Sequence, residues 1–206
     1  MTRQTHWESV YSTKPANTVS WFQPHADRSS RLIRDTGLPN SASIIDIGGG
    51  ASMLVDDLLA DGYTNLTVLD LSEAALAASR ARLGTAQALR VRWMHADITS
   101  ASLDRHAYAL WHDRAAFHFL IDESDRRRYV RSVTEALEAG GHLIVATFAE
   151  NGPERCSGLP VARYSAGQLS TVFGSAFSLV AEEREQHRTP AGSEQWFQYC
   201  HFRKSF

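Results

Sequence analysis

The sequence predicts an α/β protein with a doubly wound, mostly parallel seven-stranded sheet whose final strand is antiparallel. Three observations lead there. Short apolar runs alternate with helical patterns between residues 43 and 149, and the first run closes on consecutive glycines. The chain then ends in two strand-like runs separated by turn residues.

Taken in order, SIIDIGG (43–49) has the pattern of a buried parallel strand. Met53, Leu54, Leu58 and Leu59 follow at helical spacing over 51–61, with Gly62 as the stop. LTVLDL (66–71) is the second strand, and the alanine-rich EAALAASRARL after it is a helix ended by Gly84. VRWMHADI (91–98) and AYALWHD (107–113) are the third and fourth strands. A helix over 123–139 carries Tyr129, Val130, Val133 and Leu137 on its apolar face, and Gly140-Gly141 ends it before a fifth strand, HLIVATFA (142–149). Ser165 and Gln168 form a capping box that opens a helix reaching Phe173. FSLVAEEREQH (177–187) and EQWFQYCHFRK (194–204) pair as antiparallel strands across RTPAGS, where Pro and Gly supply the turn.

The expectation is one domain of 206 residues. It comprises an aromatic N-terminal segment (1–35), a core (40–150), and a loop, helix and hairpin (151–206). The chain is 43% hydrophobic and 21% charged, a globular balance. A formal net charge of -2 gives no pull toward nucleic acid, and Arg126-Arg127-Arg128 reads as a solvated helix face. No apolar run approaches the ~18 residues that span a bilayer, and MTRQTHWESVY lacks a signal-peptide core. Cys156 and Cys200 suit neither a disulfide framework nor a thiolate-rich zinc site. A cytoplasmic protein with no membrane, nucleic-acid or metal partner follows as the expectation, and the oligomeric state is left open.

The motif with the most chemical content is Asp46-Ile47-Gly48-Gly49-Gly50-Ala51-Ser52, between a strand and a helix. Glycines there let the backbone approach a ligand closely. Asp70, 20 residues after Gly50, ends the next strand, where an acid can accept from both hydroxyls of a ribose. A nicotinamide dinucleotide would call for G-x-G-x-x-G, but position 53 is Met. Asp46 beside the loop opposes a pyrophosphate and favours a ligand carrying an ammonium or sulfonium charge.

These residues resemble the class I S-adenosylmethionine-dependent methyltransferases. DIGGGAS is similar to their first motif, with Ser52 where a third glycine often lies. Asp70 in VLDLS and Asp97 in HADI resemble their second and third. GGHLIVATF is similar to a post-helix segment in which proline often stands where this chain has Ala139. The resemblance covers residues 40 to 150 and implies S-adenosylmethionine as cofactor and S-adenosylhomocysteine as product. It implies that Asp46 and the backbone of Gly48, Gly49 and Gly50 hold the methionine half. Asp70 would then take the ribose hydroxyls, with Leu71 beside the adenine, Asp97 on its amino group and Ile98 beneath it. His112 and Asp113 would lie beside the transferred methyl.

The segment HWESVYSTKPANTVSWFQPH resembles the N-terminal lids of small enzymes of this class. Trp21 over the cofactor, with Tyr11 and Phe22 on the substrate side, are the expected contacts, and Trp7 lies further out. Aromatic faces suit a sulfonium because the ring quadrupole attracts a cation. On the other side, the Gly/Pro-rich loop after strand five offers Cys156, Arg163 and Tyr164 to a substrate. Asp113 and His118 are the expected acid–base or orienting pair, with Phe117 as a pocket wall. A histidine suits a thiol acceptor, whose pKa of about 8.5 needs little help to ionise. A small-molecule thiol or dithiol is therefore the expected acceptor, resembling thiol and thiopurine S-methyltransferases, and protein lysine methylation is the alternative.

Overall fold

The computed structural model describes residues 2–206. After α1 (Arg3–Thr13) and α2 (Asp27–Asp35), the core alternates as β1 (Ser43–Ile47), α3 (Leu54–Ala60), β2 (Asn65–Asp70), α4 (Glu73–Ala88), β3 (Val91–His95), β4 (Tyr108–Arg114), α5 (Glu123–Ala136) and β5 (Leu137–Phe148). A two-stranded ribbon, β6 (Arg155–Cys156) and β7 (Leu159–Pro160), precedes α6 (Ala166–Phe173), β8 (Phe177–Arg188) and β9 (Glu194–Lys204). The main sheet has seven strands in the order β3-β2-β1-β4-β5-β9-β8. β1 to β5 run parallel, and β9 is antiparallel to both β5 and β8. This is the doubly wound architecture anticipated from the alternation, with the final strand reversed.

Apolar side chains are buried on both faces of the sheet. Ile45, Trp111, Leu143 and Phe202 meet Tyr129 and Val133 of α5 and Leu169 of α6 on one face. Ile44, Val68, Leu110 and Tyr199 meet Ile33 of α2 and Leu54 and Leu58 of α3 on the other. Covering both faces is what makes the central strands read as continuous apolar runs. No helix among the described residues is long and apolar enough to cross a membrane.

Several element ends differ from expectation. α3 starts at Leu54 because Gly49 to Ser52 form a turn, closed by Ser52 N–H on the Gly49 carbonyl at 2.8 Å. Gly84, at φ +71°, interrupts α4 without ending it. β3 stops at His95, so Ala96, Asp97 and Ile98 leave the sheet and form the rim of a cavity. α5 ends at Ala136, and Gly140-Gly141 lies inside β5 rather than stopping the helix. The register against β4 shifts there, from Tyr108 opposite Leu137 to Leu110 opposite His142, and Gly140 at φ +70° accommodates the irregularity.

Candidate active site

A cavity opens at the carboxyl ends of β1, β2 and β4, the edge where parallel sheets of this kind bind ligands. Gly48, Asp70 and Leu71 line one side, and Asp97 and Ile98 line the rim after β3. Arg114, Phe119 and Cys156 line the opposite side, under Trp7, Tyr11 and Trp21. A second cavity lies over the glycine loop and is lined by Asp46, Gly49, His112, Ser29 and Phe22. The two share Tyr11, Trp21, Gly48 and Arg114.

The loop must be glycine because two carboxylates press on it. A Cβ on Gly49 would stand 2.2 Å from Asp46 Oδ2, and one on Gly50 would stand 2.5 Å from Asp70 Oδ2. Asp46 Oδ1 accepts from His112 Nδ1 at 2.7 Å, whereas Oδ2 receives no hydrogen bond from any described residue. Asp70 is buried, and its Oδ1 accepts the Ser72 N–H at 2.8 Å. Burial raises its pKa to about 6, against the pull of backbone N–H groups. Asp97 Oδ1 accepts from Thr99 N–H and Oγ1–H, and Oδ2 pairs with Arg3 at 3.3 Å.

The N-terminal segment roofs the cavity through polar and aromatic contacts. Among the described residues of α1 only Val10 is buried. Glu8 accepts from Ser72 Oγ at 2.8 Å and Ala74 N–H at 3.2 Å, at the start of α4, where a negative charge is favourable. Trp7 packs edge-on against Phe119 at 4.9 Å and Trp21 at 5.6 Å, and the Trp21 indole N–H donates to Tyr11 Oη at 3.1 Å.

A family model described as a methyltransferase domain matches residues 44–141, the span that supplies the glycine loop, Asp70, Asp97 and the end of β4. With the methyltransferase relatives below, this domain makes the chain an S-adenosylmethionine-dependent methyltransferase. EEF1A lysine methyltransferase 2 of Mus musculus is 24% identical to it over 193 residues, covering 80% of this chain and 77% of that one. Burkholderia thailandensis 1,6-didemethyltoxoflavin-N1-methyltransferase, solved with S-adenosylhomocysteine, superposes at a TM-score of 0.74 and 18% identity. That match covers 98% of this chain and 87% of the other. A structure concerned with conversion of a disulfide bond into a thioacetal group during echinomycin biosynthesis gives a TM-score of 0.77 at 16% identity, over 99% and 92% of the two chains.

The cofactor of the methyltransferase is S-adenosylmethionine, and the residues present fit it. Asp46 offers an unpartnered carboxylate oxygen to a cationic ligand, Asp70 offers an acceptor at a strand end, and the glycine loop is a cradle that any Cβ would obstruct.

The acceptor side of the methyltransferase differs from expectation. Asp113 is fully buried and lines neither cavity. Its Oδ1 accepts from Ala116 N–H at 2.9 Å and Phe117 N–H at 3.1 Å, and its Oδ2 accepts from Tyr129 Oη–H at 2.7 Å. His118 is equally buried and also lines neither cavity. Its Nδ1 accepts the Phe148 N–H at 3.2 Å, and Nε2 is buried without a partner. Burial lowers its pKa to about 3, so it is a weak base at neutral pH. Phe117 and Tyr164 are core, packed against each other at 5.6 Å. Arg163 is turned to Glu154 at 3.0 Å and the Gly152 carbonyl at 3.2 Å, away from both cavities.

Arg114 and Phe119 line the first cavity beyond the end of β4. Arg114 donates from Nε to Tyr199 Oη at 2.8 Å and from Nη1 to the Trp21 carbonyl at 3.1 Å, pairs from Nη2 with Glu185 at 3.4 Å, and lies over the Phe197 ring at 4.3 Å. Phe119 faces the cavity and Phe117 does not, because the turn Phe117–Phe119 is a 3₁₀ helix that points successive side chains about 120° apart. Cys156 lines the first cavity, its thiol pushed up to about 11 by burial.

His118→Ala is expected to cost about 2–4 kcal/mol of stability, through a buried N–H left unpaired and a cavity, with little change in turnover. Unfolding in urea and steady-state rates on the folded variant check this. A large fall in turnover at full folding would restore the base role.

Proposed function

We propose that this methyltransferase methylates a small-molecule acceptor whose reacting atom is soft and neutral or anionic, foremost a thiol or dithiol. Arg114 carries the reading. It is a cation in the wall shared by both cavities, paired at Nη2 with Glu185 at 3.4 Å, and a guanidinium beside the acceptor favours a thiolate. With Asp113 and His118 outside the cavities, ionisation of the acceptor near Arg114 replaces a protein base. Trp7, Tyr11, Trp21 and Phe119 exclude water and present an apolar surface suited to a polarisable acceptor. Sulfur chemistry in the echinomycin neighbour supports the same choice.

On the cofactor side, Asp46 and Gly48 to Gly50 would hold the amino-acid half, Asp70 the ribose, and Leu71, Asp97 and Ile98 the adenine. When bound, S-adenosylmethionine supplies an electrophilic methyl group on a sulfonium. The chain's own work is to align the acceptor and keep the site dry.

A second reading is protein lysine methylation, supported by the relative named EEF1A lysine methyltransferase 2. A panel of thiols, amines and phenols, assayed by S-adenosylhomocysteine release and run beside labelled cofactor in cell lysate, separates them. Turnover with thiols is the expected result. Label confined to protein lysines would overturn the thiol reading.

A further inference from the structure

Ser29 of α2, His112 of β4 and Asp46 of β1 form one hydrogen-bonded chain in the wall of the second cavity. Asp46 Oδ1 lies 2.7 Å from His112 Nδ1, and His112 Nε2 lies 2.9 Å from Ser29 Oγ. The Asp46 and His112 side chains are 7% and 3% exposed, and Ser29 is 1% exposed. A carboxylate only accepts, which places a proton on Nδ1 of the imidazole. The chain therefore runs from Ser29 through the imidazole to Asp46. It ends on Asp46 Oδ2, which no described residue satisfies.

Asp46 lines the second cavity, and a carboxylate oxygen free to accept there attracts a cation. We propose that His112 is a positioning residue for the amino-acid head of the cofactor. It acts through Asp46, fixing the carboxylate so that Oδ2 receives the head's ammonium, and Ser29 holds the far side of the ring. The inference rests on the cofactor placement proposed above. It moves His112 from a neighbour of the transferred methyl to a residue that reads the far end of the cofactor.

The test compares two ligands in the native protein and three variants. S-adenosylhomocysteine carries the amino-acid head, and 5′-methylthioadenosine keeps the adenosine and thioether without it. Binding is measured by calorimetry or by fluorescence of the lid tryptophans. His112→Leu should weaken S-adenosylhomocysteine roughly tenfold or more, while 5′-methylthioadenosine stays within about twofold. His112→Asn, whose amide N–H can replace Nδ1–H, should stay within about threefold of the native protein for both ligands. Ser29→Ala, a smaller change that tests the chain if His112→Leu fails to fold, should show the same selective loss at about threefold. Equal loss of both ligands, or loss of neither, overturns the proposal. If the native protein binds neither ligand, the cofactor placement itself fails.

Discussion

Asp70→Ala is expected to weaken cofactor binding by roughly 100-fold or more, about 3–4 kcal/mol for a pair of charge-assisted hydrogen bonds. Asp70 is buried at the end of β2, its Oδ1 is held by the Ser72 N–H, and its Oδ2 abuts Gly50. The carboxylate is thus pre-aimed, and a ribose diol is the ligand group such an acid suits. The same residue sets a pH dependence. Burial raises its pKa to about 6, so the apo site holds a proton below that value and a full negative charge above it. Ribose hydroxyls donate to the ionised form, so affinity should rise with pH, roughly tenfold from pH 5 to 7, and binding should release a proton. Asp70→Asn should remove that slope along with most of the affinity. Calorimetric titrations with S-adenosylhomocysteine at several pH values, in buffers of different ionisation enthalpy, measure both effects. A native affinity flat across this range would remove Asp70 from the ribose.

Most of the fold, and the sheet edge at which the cavities open, were legible in the sequence for a common physical reason. Strands covered on both faces must be apolar throughout, and ligands lie at their carboxyl ends, so Asp46, Asp70 and Asp97 are located by where the apolar runs stop. The glycines are legible because Asp46 and Asp70 leave no room for a Cβ. The acceptor side is different. After Arg114 the backbone turns through Ala115 at φ +69°, a left-handed conformation that nothing marks when the residue is alanine. Alternation along LWHDR is lost there, and the 3₁₀ turn then distributes Phe117, His118 and Phe119 over different directions. Reading the stretch as one active-site edge placed the polar pair in the cavity, when Arg114 and Phe119 occupy it. The link from His112 to Ser29 joins positions 83 residues apart, which no local pattern encodes.

Asp113 is where a structural and a catalytic role predict opposite results. Its carboxylate satisfies two backbone N–H groups of the turn that carries Ala116 and Phe119, and it also accepts from Tyr129 Oη, which in turn accepts from the Trp111 indole N–H. Asp113→Ala leaves these donors buried and unpaired, each at about 1–3 kcal/mol. The expected loss is about 3–5 kcal/mol, a large share of the about 5–15 kcal/mol that holds a typical domain. It corresponds to a fall in Tm of roughly 10–15 °C at this chain length. Asp113→Asn is gentler. Its amide oxygen can keep the two backbone N–H groups, and only the Tyr129 hydroxyl loses its acceptor, at about 1 kcal/mol. If Asp113 acts by holding the turn, the folded Asn variant should turn over within about threefold of the native rate. If Asp113 is the base, the Asn variant should lose roughly 100-fold or more while its unfolding transition barely moves. Denaturation curves and steady-state rates on Asp113→Asn, read together, decide the matter, and a stable but inactive variant would return Asp113 to the chemistry.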